Sequence, residues 1–480
     1  MKRLFSVLAI TCISAFSIAA QNGIDTTKLK LEQLTVVSRH NVRAPLQKNI
    51  DSTYNNIESK KLLMKSNVPG SHLTERGFLL EEIMGAYFRM WMKKEGLLKE
   101  SKAAIKHKTG SYIIDAIDDV PNLSDYYFAA SPRQRTVAST KAFASTFLPG
   151  IAVPIYHQEI DSKDPDFLPY FVDYGVGVKS GSFDTKAFIN RAKTEVDSII
   201  DLHIIILQEA YDTLQHVVNY QASINYKKGR KSLSTNNLKN EVDLCFINKN
   251  GIIKEPEATE KSHLKAANQL SDALILQFLE MARPDTTGLY IKNNSIHTWR
   301  TIADIKDIYS RILFTAPMVA VNTSHRLLCQ VKVGIKNNKF TFLCTHDTSI
   351  SAMLAALQAN NYSLPESLTI EGLTPNGCKL CIEKYSLGKE YYGRVRLLYQ
   401  STEQVRKLTM LDYESTHPQS QVITFKGLKC VICNCNCDND KGCSDKCKDC
   451  RGFYKWDDLM QRIDDTIAAF AKVAKGEKPF

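Results

Sequence analysis

The 480-residue sequence lacks several features that would each point to a particular class of protein. It has no repeat of fixed period and no long low-complexity tract, which argues against repeat architectures and disordered chains. Beyond the N-terminus no segment carries about 18 unbroken apolar residues, so no membrane-spanning helix is expected. Apolar residues make up 44% and charged residues 24%, a composition typical of a globular protein.

Motifs of several enzyme classes are absent as well. The sequence has no Gly-x-Ser-x-Gly elbow and no His-Glu-x-x-His zinc motif, and Gly175-Val176-Gly177 lacks the third glycine of a dinucleotide loop. The formal net charge is +11, which favours anionic partners. Because no nucleic-acid motif accompanies that charge, we expect a small anionic partner and no nucleic acid. Since the metal and dinucleotide motifs are missing, we also expect no metal and no cofactor.

The N-terminus is typical of an export signal, which we expect to span residues 1–20. Two basic residues precede a mostly apolar stretch over residues 4–16, and small residues follow up to Ala20. The apolar stretch is too short for a spanning helix. We therefore expect a protein that is periplasmic or secreted and has no stable membrane insertion.

Export changes how the cysteines are interpreted, because an oxidising compartment favours disulfides. Seven of the 13 cysteines crowd into residues 430–450, in a polar segment that predicts an exposed knob. Their Cys-x2-Cys spacings also resemble a zinc ribbon, so both alternatives stay open, with disulfides favoured. Seven is odd, so one of them pairs elsewhere or stays free, and Cys378 and Cys381 are candidate partners.

The order of predicted elements indicates an α/β protein. Strands and helices alternate over about residues 31–150 and again from about residue 297, whereas helical periodicity dominates about residues 185–283. This pattern predicts a mostly parallel sheet flanked by helices on both faces. The expected parts are a discontinuous core over 21–150 and 297–480, a mainly helical cap inserted at 151–296, and a Cys-rich insertion at 430–450.

Individual elements follow from the apolar patterns. The predicted strands are Leu34–Val37, Tyr126–Ala130, Lys339–Thr345, Lys379–Glu383 and Arg394–Tyr399. The predicted helices are Leu73–Lys94, Gln134–Phe147, Phe188–Val218, Leu264–Met281, Ile302–Thr315, Ser349–Gln358 and Trp456–Lys475.

Residues 38–45, Ser-Arg-His-Asn-Val-Arg-Ala-Pro, follow the first predicted strand. Two guanidinium groups, Arg39 and Arg43, bracket the imidazole of His40. Guanidinium forks match the oxygens of a phosphate dianion and stay charged at physiological pH. A neutral imidazole between such cations can attack phosphorus. Together with the pair His346-Asp347 further along the chain, the motif suggests a histidine-dependent phosphomonoester hydrolase.

Two further polar groups also follow predicted strands and open predicted helices. One is the pair His346-Asp347; the other is Arg135, with Arg133 as an alternative. Open α/β sheets bind ligands beyond the carboxyl ends of their strands, and a helix N-terminus adds partial positive charge there. Each motif alone could be structural, as a loop held by ion pairs or a helix cap. Their joint occurrence at three strand ends favours one functional site.

On these motifs the chain resembles the histidine acid phosphatase family, in the branch that contains bacterial phytases and glucose-1-phosphatase. Residues 38–45 match the nucleophile motif of that family, residues 134–136 its distal arginine motif and residues 346–347 its proton-donor motif. The match continues through residues 73–77 and 84–89, and it favours Arg135 over Arg133.

Asn41 and Leu46 depart from the commonest family pattern, which has Gly and Thr there, and resemble glucose-1-phosphatases. The resemblance implies that both line the substrate pocket, and it favours sugar phosphates over phytate. The family often has a disulfide before its last helix, which Cys430 and Cys450 match. The five cysteines between them depart from that pattern.

The resemblance also implies a mechanism. His40 attacks phosphorus to form a phosphohistidine, while Asp347 protonates the leaving oxygen and later activates water. The expected phosphate-binding residues are Arg39, Arg43, Arg135 and His346. Because Asp347 must first be protonated, activity is expected to be better below neutral pH.

Two other function classes remain open. One is a phosphotransferase or mutase of the same superfamily, which the export signal disfavours. The other is a non-catalytic protein that binds a partner through the Cys-rich knob, which the complete set of chemical residues disfavours.

Overall fold

The structure is a computed structural model. It describes residues 24–46, 49, 55–57, 66–98, 104–106, 112–114, 122–162, 164–167, 183–230, 232–243, 257–258, 262–280, 295–432 and 451–480. The predicted signal peptide and residues 433–450 of the predicted Cys-rich insertion lie outside the described residues, so both remain predictions.

A single large sheet organises the described part of the chain. The strands are β1 (Lys30–Arg39), β2 (Ala104–Lys106), β3 (Tyr112–Ile114), β4 (Tyr126–Ala130), β5 (Val242–Asp243), β6 (Glu257–Ala258), β7 (Phe340–Thr345), β8 (Lys379–Leu387), β9 (Glu390–Tyr399), β10 (Gln419–Ile423) and β11 (Phe453–Lys455). Seven of them form the sheet in the order β10-β9-β8-β1-β7-β4, with β11 also paired to β9. The pairs β2–β3 and β5–β6 are separate.

The sheet is mixed, whereas the sequence predicted a mostly parallel one. β1 and β4 both run parallel to β7, but β8 pairs antiparallel with β1 and with β9, and β9 pairs antiparallel with β10 and β11. Only Gly388 and Lys389 join β8 to β9, and Gly388 has a φ of +62°. So short a turn can join antiparallel strands only. The predicted α/β class, with helices on both faces, is confirmed.

Ten α-helices are described. They are α1 (Glu75–Lys94), α2 (Gln134–Phe147), α3 (Thr185–Val217), α4 (Ile224–Lys227), α5 (His263–Glu280), α6 (Ile296–Phe314), α7 (Pro317–Asn337), α8 (Asp347–Ala356), α9 (Thr402–Lys407) and α10 (Trp456–Val473). Short 3-10 helices span Thr26–Lys28, Leu123–Asp125, Tyr220–Ala222 and Leu238–Asn240. None of the helices in the described ranges is long and apolar enough to cross a membrane.

Successive strand residues point to opposite faces of the sheet, and each face is covered by helices. Val36 and Phe342 pack with α1 and α2, where the rings of Phe143 and Phe342 stack at 4.3 Å. Val37 and Leu343 pack on the other face, with α7, α8 and α10. Because both faces are filled, the ends of the strands are the free positions for a site.

A third hydrophobic cluster is made mainly of helices, with a few loop residues such as Val42. It joins α3 and α5 to α6, and the rings of Phe278 and Trp299 stack within it at 4.2 Å. Since α3 and α5 fall in the predicted cap, this cluster is what would attach the cap to the core. The division into core and cap stays a proposal.

Most predicted elements are present within a few residues. β4 and α2 have the predicted bounds, and α8 begins at Asp347 rather than at Ser349. Asp347 therefore lies in the first turn of the helix. Helix α7 was not predicted.

Candidate active site

The three predicted strand-end groups converge because their strands are neighbours in register. Arg39, the last residue of β1, pairs with Thr345 at the end of β7, and Ala130 of β4 pairs with Cys344. The backbone N–H of His40 donates to the carbonyl of Thr345 at 3.1 Å. The loops that follow β1, β7 and β4 thus leave the sheet side by side.

His40 lies at the centre of this group and its side chain is buried. Its Nδ1 atom is 2.8 Å from the carbonyl oxygen of Asn41. A carbonyl can only accept, so Nδ1 carries the proton and Nε2 has a free lone pair. Burial lowers the pKa of His40 well below its usual value, and Arg135 adds to the effect. A neutral imidazole with a bare Nε2 is the form that can act as a nucleophile.

Arg39 is almost fully buried between two carboxylates. Its Nη1 donates to Oε1 of Glu371 at 2.7 Å and also to the carbonyl of Thr374, and its Nη2 lies 3.4 Å from Oδ2 of Asp347. Glu371 in turn accepts from the backbone N–H of Asn376 at 2.8 Å. Arg39 is therefore held in place before any ligand arrives.

Arg43 pairs with a residue of the predicted cap. Its Nη2 lies 3.2 and 3.1 Å from the two carboxylate oxygens of Asp272 on α5. The side chain of Asn49 donates to the same carboxylate at 3.0 Å. Although burial opposes the charge of Asp272, Arg43 and Lys306 keep the pKa of that carboxyl below its usual value.

Arg135 and His346 contact each other. Nη2 of Arg135 lies 3.5 Å from Nδ1 of His346, and Nε2 of His346 lies 3.1 Å from the hydroxyl of Ser131. Since a guanidinium can only donate, Nε2 of His346 carries the proton and donates to Ser131. The rings of His40 and His346 meet edge to face at 5.4 Å. Arg133, the alternative, instead forms a surface ion pair with Asp161 at 2.9 Å.

Asp347 begins α8 and faces two cations. Its Oδ1 accepts from the backbone N–H of Thr348 at 3.0 Å, and its Oδ2 lies 3.1 Å from the ammonium of Lys306. Although burial opposes ionisation, Lys306 and Arg39 hold the pKa of Asp347 well below its usual range. Without substrate, Asp347 is therefore a carboxylate.

Asn41, predicted to line the substrate pocket, has a buried side chain that contacts Glu81 and Val42. Its Nδ2 donates to Oε1 of Glu81 at 3.0 Å, and its Oδ1 accepts from the N–H of Val42 at 2.9 Å. A side chain on Gly377, which has a φ of +73°, would lie 2.2 Å from Nδ2 of Asn41. Asn41 is thus enclosed by protein and shapes the loop of the motif.

Leu46 is partly exposed at the end of that loop. Its carbonyl accepts from the N–H of Asn49 at 2.9 Å. Its assignment to the substrate pocket stays a prediction.

Three residues of the site were missed by the sequence analysis: Asp272, Lys306 and Glu371. A carboxylate at position 272, in a helix whose buried residues are mostly apolar, is a usable signal, because an ionised side chain is rarely buried without a partner. Lys306 and Glu371 carry no comparable sequence signal.

The described residues show neither a metal site nor a disulfide near the candidate active site. In the described part of the chain no group of three or more His, Cys, Asp or Glu side chains fits a metal ion. Cys378 and Cys381 are buried thiols with no disulfide among the described residues, and burial raises the pKa of Cys378 to about 12. The disulfide that the resemblance implies between Cys430 and Cys450 remains a prediction, because residues 433–450 lie outside the described part of the chain.

The chain is similar in sequence to a known family and to characterised phosphatases. The model of the histidine phosphatase superfamily, branch 2, matches residues 30–400. A glucose-1-phosphatase of Salmonella typhimurium is 28% identical over 457 residues, with 92% of this chain and 98% of that protein covered. A glucose-1-phosphatase of Providencia rettgeri is 27% identical over 440 residues, covering 90% of each chain. A phytase of Escherichia coli is 23% identical over 428 residues, covering 83% and 87%.

Solved structures share the fold. The phytase of Citrobacter braakii superposes with a TM-score of 0.69 at 20% identity, covering 91% of this chain and 98% of that one. The Hafnia alvei phytase in complex with myo-inositol hexakis sulphate gives 0.69 at 18% identity, with 92% and 97% covered.

Proposed function

Since this chain belongs to branch 2 of the histidine phosphatase superfamily and is a phosphate monoester hydrolase, we propose that it releases phosphate from sugar phosphates such as glucose 1-phosphate, in preference to phytate. Two relatives named glucose-1-phosphatase, at 28% and 27% identity, support this preference, against 23% for the phytase. The match of Asn41 and Leu46 to glucose-1-phosphatases supports it further, with Asn41 acting by shaping the loop rather than by touching the substrate.

One observation carries the proposed chemistry. The neutral imidazole of His40, with Nε2 bare, is close enough to Arg39, Arg43 and Arg135 for all three to lower its pKa, an effect second to that of burial. Three cations around a neutral nucleophile can bind a dianion while the attacking nitrogen stays unprotonated.

In the first proposed step, Nε2 of His40 attacks phosphorus in line. A P–N bond forms as the P–O bond to the sugar breaks, and Asp347 gives its proton to the departing oxygen. Arg39, Arg43 and Arg135 offset the charge that spreads over the phosphoryl oxygens. His346, predicted to bind the phosphate as well, would instead orient Arg135, because its two ring nitrogens contact Arg135 and Ser131. The products are the free alcohol and a phosphohistidine.

In the second step, water attacks the phosphohistidine. The carboxylate of Asp347 takes a proton from that water, the P–N bond breaks, and inorganic phosphate leaves. Asp347 is then protonated again, ready for the next substrate. Because the first step uses the acid form of Asp347, activity is expected to rise as the pH falls below neutral.

The wider organisation is part of the same proposal. Residues 151–296 would form a cap over the core at 21–150 and 297–480, which is supported by the contact of Asp272 on α5 with Arg43 after β1. The N-terminal sequence supports export to the periplasm or the medium. N-terminal sequencing of the purified protein tests export: a start at residue 20 or 21 is expected, and a retained Met1 would overturn it.

A phosphate-release assay tests the activity. Glucose 1-phosphate, phytate and p-nitrophenyl phosphate are compared at equal concentration near pH 5, and the released phosphate is measured by a colorimetric assay. We expect the highest kcat/KM on glucose 1-phosphate and free phosphate in stoichiometric amount with the sugar. Phytate as the best substrate would overturn the preference, and transfer to an alcohol without free phosphate would indicate a phosphotransferase. No turnover at all would leave the binding-protein alternative.

A further inference from the structure

Lys306 on α6 stands among the carboxylates of the site but has no part in the chemistry proposed above. Its Nζ lies 3.1 Å from Oδ2 of Asp347, 3.6 Å from Oε1 of Glu371 and 3.7 Å from Oδ1 of Asp272. Its side chain is 15% exposed, so it reaches solvent. Only the contact with Asp347 is within hydrogen-bond distance.

Lys306 is held less tightly than Arg39 and Arg43. Arg39 is held by Glu371 at 2.7 Å, and Arg43 contacts both oxygens of Asp272. Lys306 has one close partner and a flexible four-carbon stem, which lets an ammonium move between neighbouring anions.

The contact with Asp347 conflicts with the role proposed for that residue. The charged and titratable groups facing the Asp347 carboxyl are Lys306 from α6, Asp272 from α5, Arg39, His40 and His346 at the ends of β1 and β7, and the buried thiol of Cys378 before β8. The two cations favour the ionised carboxyl, whereas transfer of a proton to the leaving oxygen needs the neutral acid. The contacts of the Asp347 carboxyl must therefore change when substrate binds.

The charges of the site indicate what changes. The cations Arg39, Arg43, Arg135 and Lys306 outnumber the carboxylates Asp272, Asp347 and Glu371 by 4 − 3 = 1. A bound phosphate dianion reverses this balance to −1, and one proton restores neutrality. The dianion itself therefore favours proton uptake by the site.

We propose that Lys306 is a positioning residue for Asp347, which moves from the carboxylate of Asp347 to an oxygen of the bound phosphate and so frees Asp347 to take up its proton. The inference rests on the proposed function. It makes Asp347 a carboxylate in the empty enzyme and an acid only in the complex. No bond is made or broken in this step: the ammonium exchanges one anionic partner for another, and the proton comes from solvent.

The pH dependence of Lys306→Met tests the proposal. Glucose 1-phosphate has a poor leaving group that needs the acid, whereas p-nitrophenol leaves without help. Removing the ammonium raises the pKa of Asp347 in the free enzyme, so the alkaline limb of kcat/KM for glucose 1-phosphate should move up by about one pH unit. For p-nitrophenyl phosphate the limb should stay, while KM rises for both substrates by about tenfold because a phosphate contact is lost.

Proton uptake can be measured directly with sulfate, a dianion that does not titrate near pH 5. Calorimetry in two buffers of different ionisation enthalpy should give close to one proton taken up per sulfate bound by the wild type. Lys306→Met should take up clearly less, because Asp347 is then partly protonated beforehand. No uptake by the wild type would overturn the exchange.

Three further variants complete the design. Lys306→Arg keeps the positive charge, so the alkaline limb of its kcat/KM profile for glucose 1-phosphate should stay at the wild-type pH. Lys239→Met removes a lysine from a surface pair with Asp201 and should change neither limb nor KM. If Lys306→Met unfolds, Lys306→Gln takes its place with the same expected shifts. If the alkaline limb of kcat/KM moves equally for both ester substrates, or does not move in a folded variant, the inference is contradicted. Absence of turnover by the wild type contradicts the proposed function instead.

Discussion

The Nδ1–H of His40 donates to the carbonyl oxygen of Asn41, the next residue of the chain, at 2.8 Å. A donor and acceptor in adjacent residues need no distant element to meet, so the ring orientation is encoded within the motif itself. The side chain of Asn41 is in turn held by Glu81, which fixes the peptide that accepts the bond. The attacking nitrogen is thus oriented by local geometry, while its low basicity comes from burial and the surrounding arginines.

Replacing the nucleophile is the first prediction. His40→Ala should lower kcat on p-nitrophenyl phosphate by at least about a thousandfold, because no other described group offers a bare nitrogen at the junction of the three loops. The control is His297→Ala, which removes an exposed imidazole paired with Glu366 and should leave kcat unchanged. Full activity of His40→Ala would refute the phosphohistidine scheme.

The acid is tested by leaving-group dependence. Asp347→Asn keeps the acceptor for the N–H of Thr348 but cannot give a proton. We expect kcat on glucose 1-phosphate to fall by about 10²–10⁴-fold, and kcat on p-nitrophenyl phosphate to fall by much less. Equal losses on the two esters would mean that Asp347 is not the acid.

Arg135 and Arg133 make a matched pair of tests, two residues apart on one helix start. Arg135 contacts His346, whereas Arg133 pairs with Asp161 at the surface. Arg135→Ala should raise KM for glucose 1-phosphate by about 10–100-fold through loss of a charged phosphate contact, and Arg133→Ala should change it less than about threefold. The reverse order of effects would assign the phosphate contact to Arg133.

The success of the sequence at the strand ends has a physical cause. The runs 126–130 and 340–345 are apolar enough to be buried and end at polar residues, so β4 and β7 and the helices after them are encoded locally. The motifs then had to meet, because parallel strands end on the same edge of a sheet. By contrast, the antiparallel pairing of β8 with β9 follows from the two-residue turn at Gly388 and Lys389, which the apolar pattern of the strands does not reveal.

What the sequence could not give is the identity of long-range partners. Asp272 and Lys306 come from α5 and α6, and their contacts depend on how the helical cluster packs beside the sheet. The orientation of Asn41 depends on Glu81, which lies 40 residues further along the chain. Periodicity predicts which face of a helix is buried, but not which side chain of another element it meets.

A buried ion pair beneath the motif gives a stability prediction. Nζ of Lys379 lies 2.8 Å from Oε1 of Glu81, and both side chains are fully buried. Lys379→Met leaves the carboxylate without its cation, which should cost about 3–5 kcal/mol in the free energy of unfolding. Replacing both, with Glu81→Leu added, should recover most of that loss. Urea denaturation measures all three proteins, and a single variant as stable as the wild type would show that the pair is not needed.

The last prediction concerns Asp307 on α6, a partly buried residue next to Lys306 in sequence. Its Oδ2 accepts from the backbone N–H of Gly372 at 2.7 Å. Burial, with help from Asp304 and Glu371, raises the pKa of Asp307 to about 7, from 3.8 for an ordinary aspartate. Between these two values the folded state binds a proton that the unfolded state has lost. The favourable contribution is complete below about pH 4 and disappears as the pH rises through 7.

Asp307→Asn keeps the acceptor for Gly372 and cannot titrate. The difference in the free energy of unfolding, variant minus wild type, should therefore increase by about 1–3 kcal/mol between pH 4 and pH 8. The surface variant Asp161→Asn serves as the control, since its side chain is 76% exposed. Urea midpoints at one-unit pH intervals measure the difference. If the curves of wild type and Asp307→Asn stay parallel over this range, the proton is not bound in the folded state, and the carboxyl near Glu371 is ionised like those around Lys306.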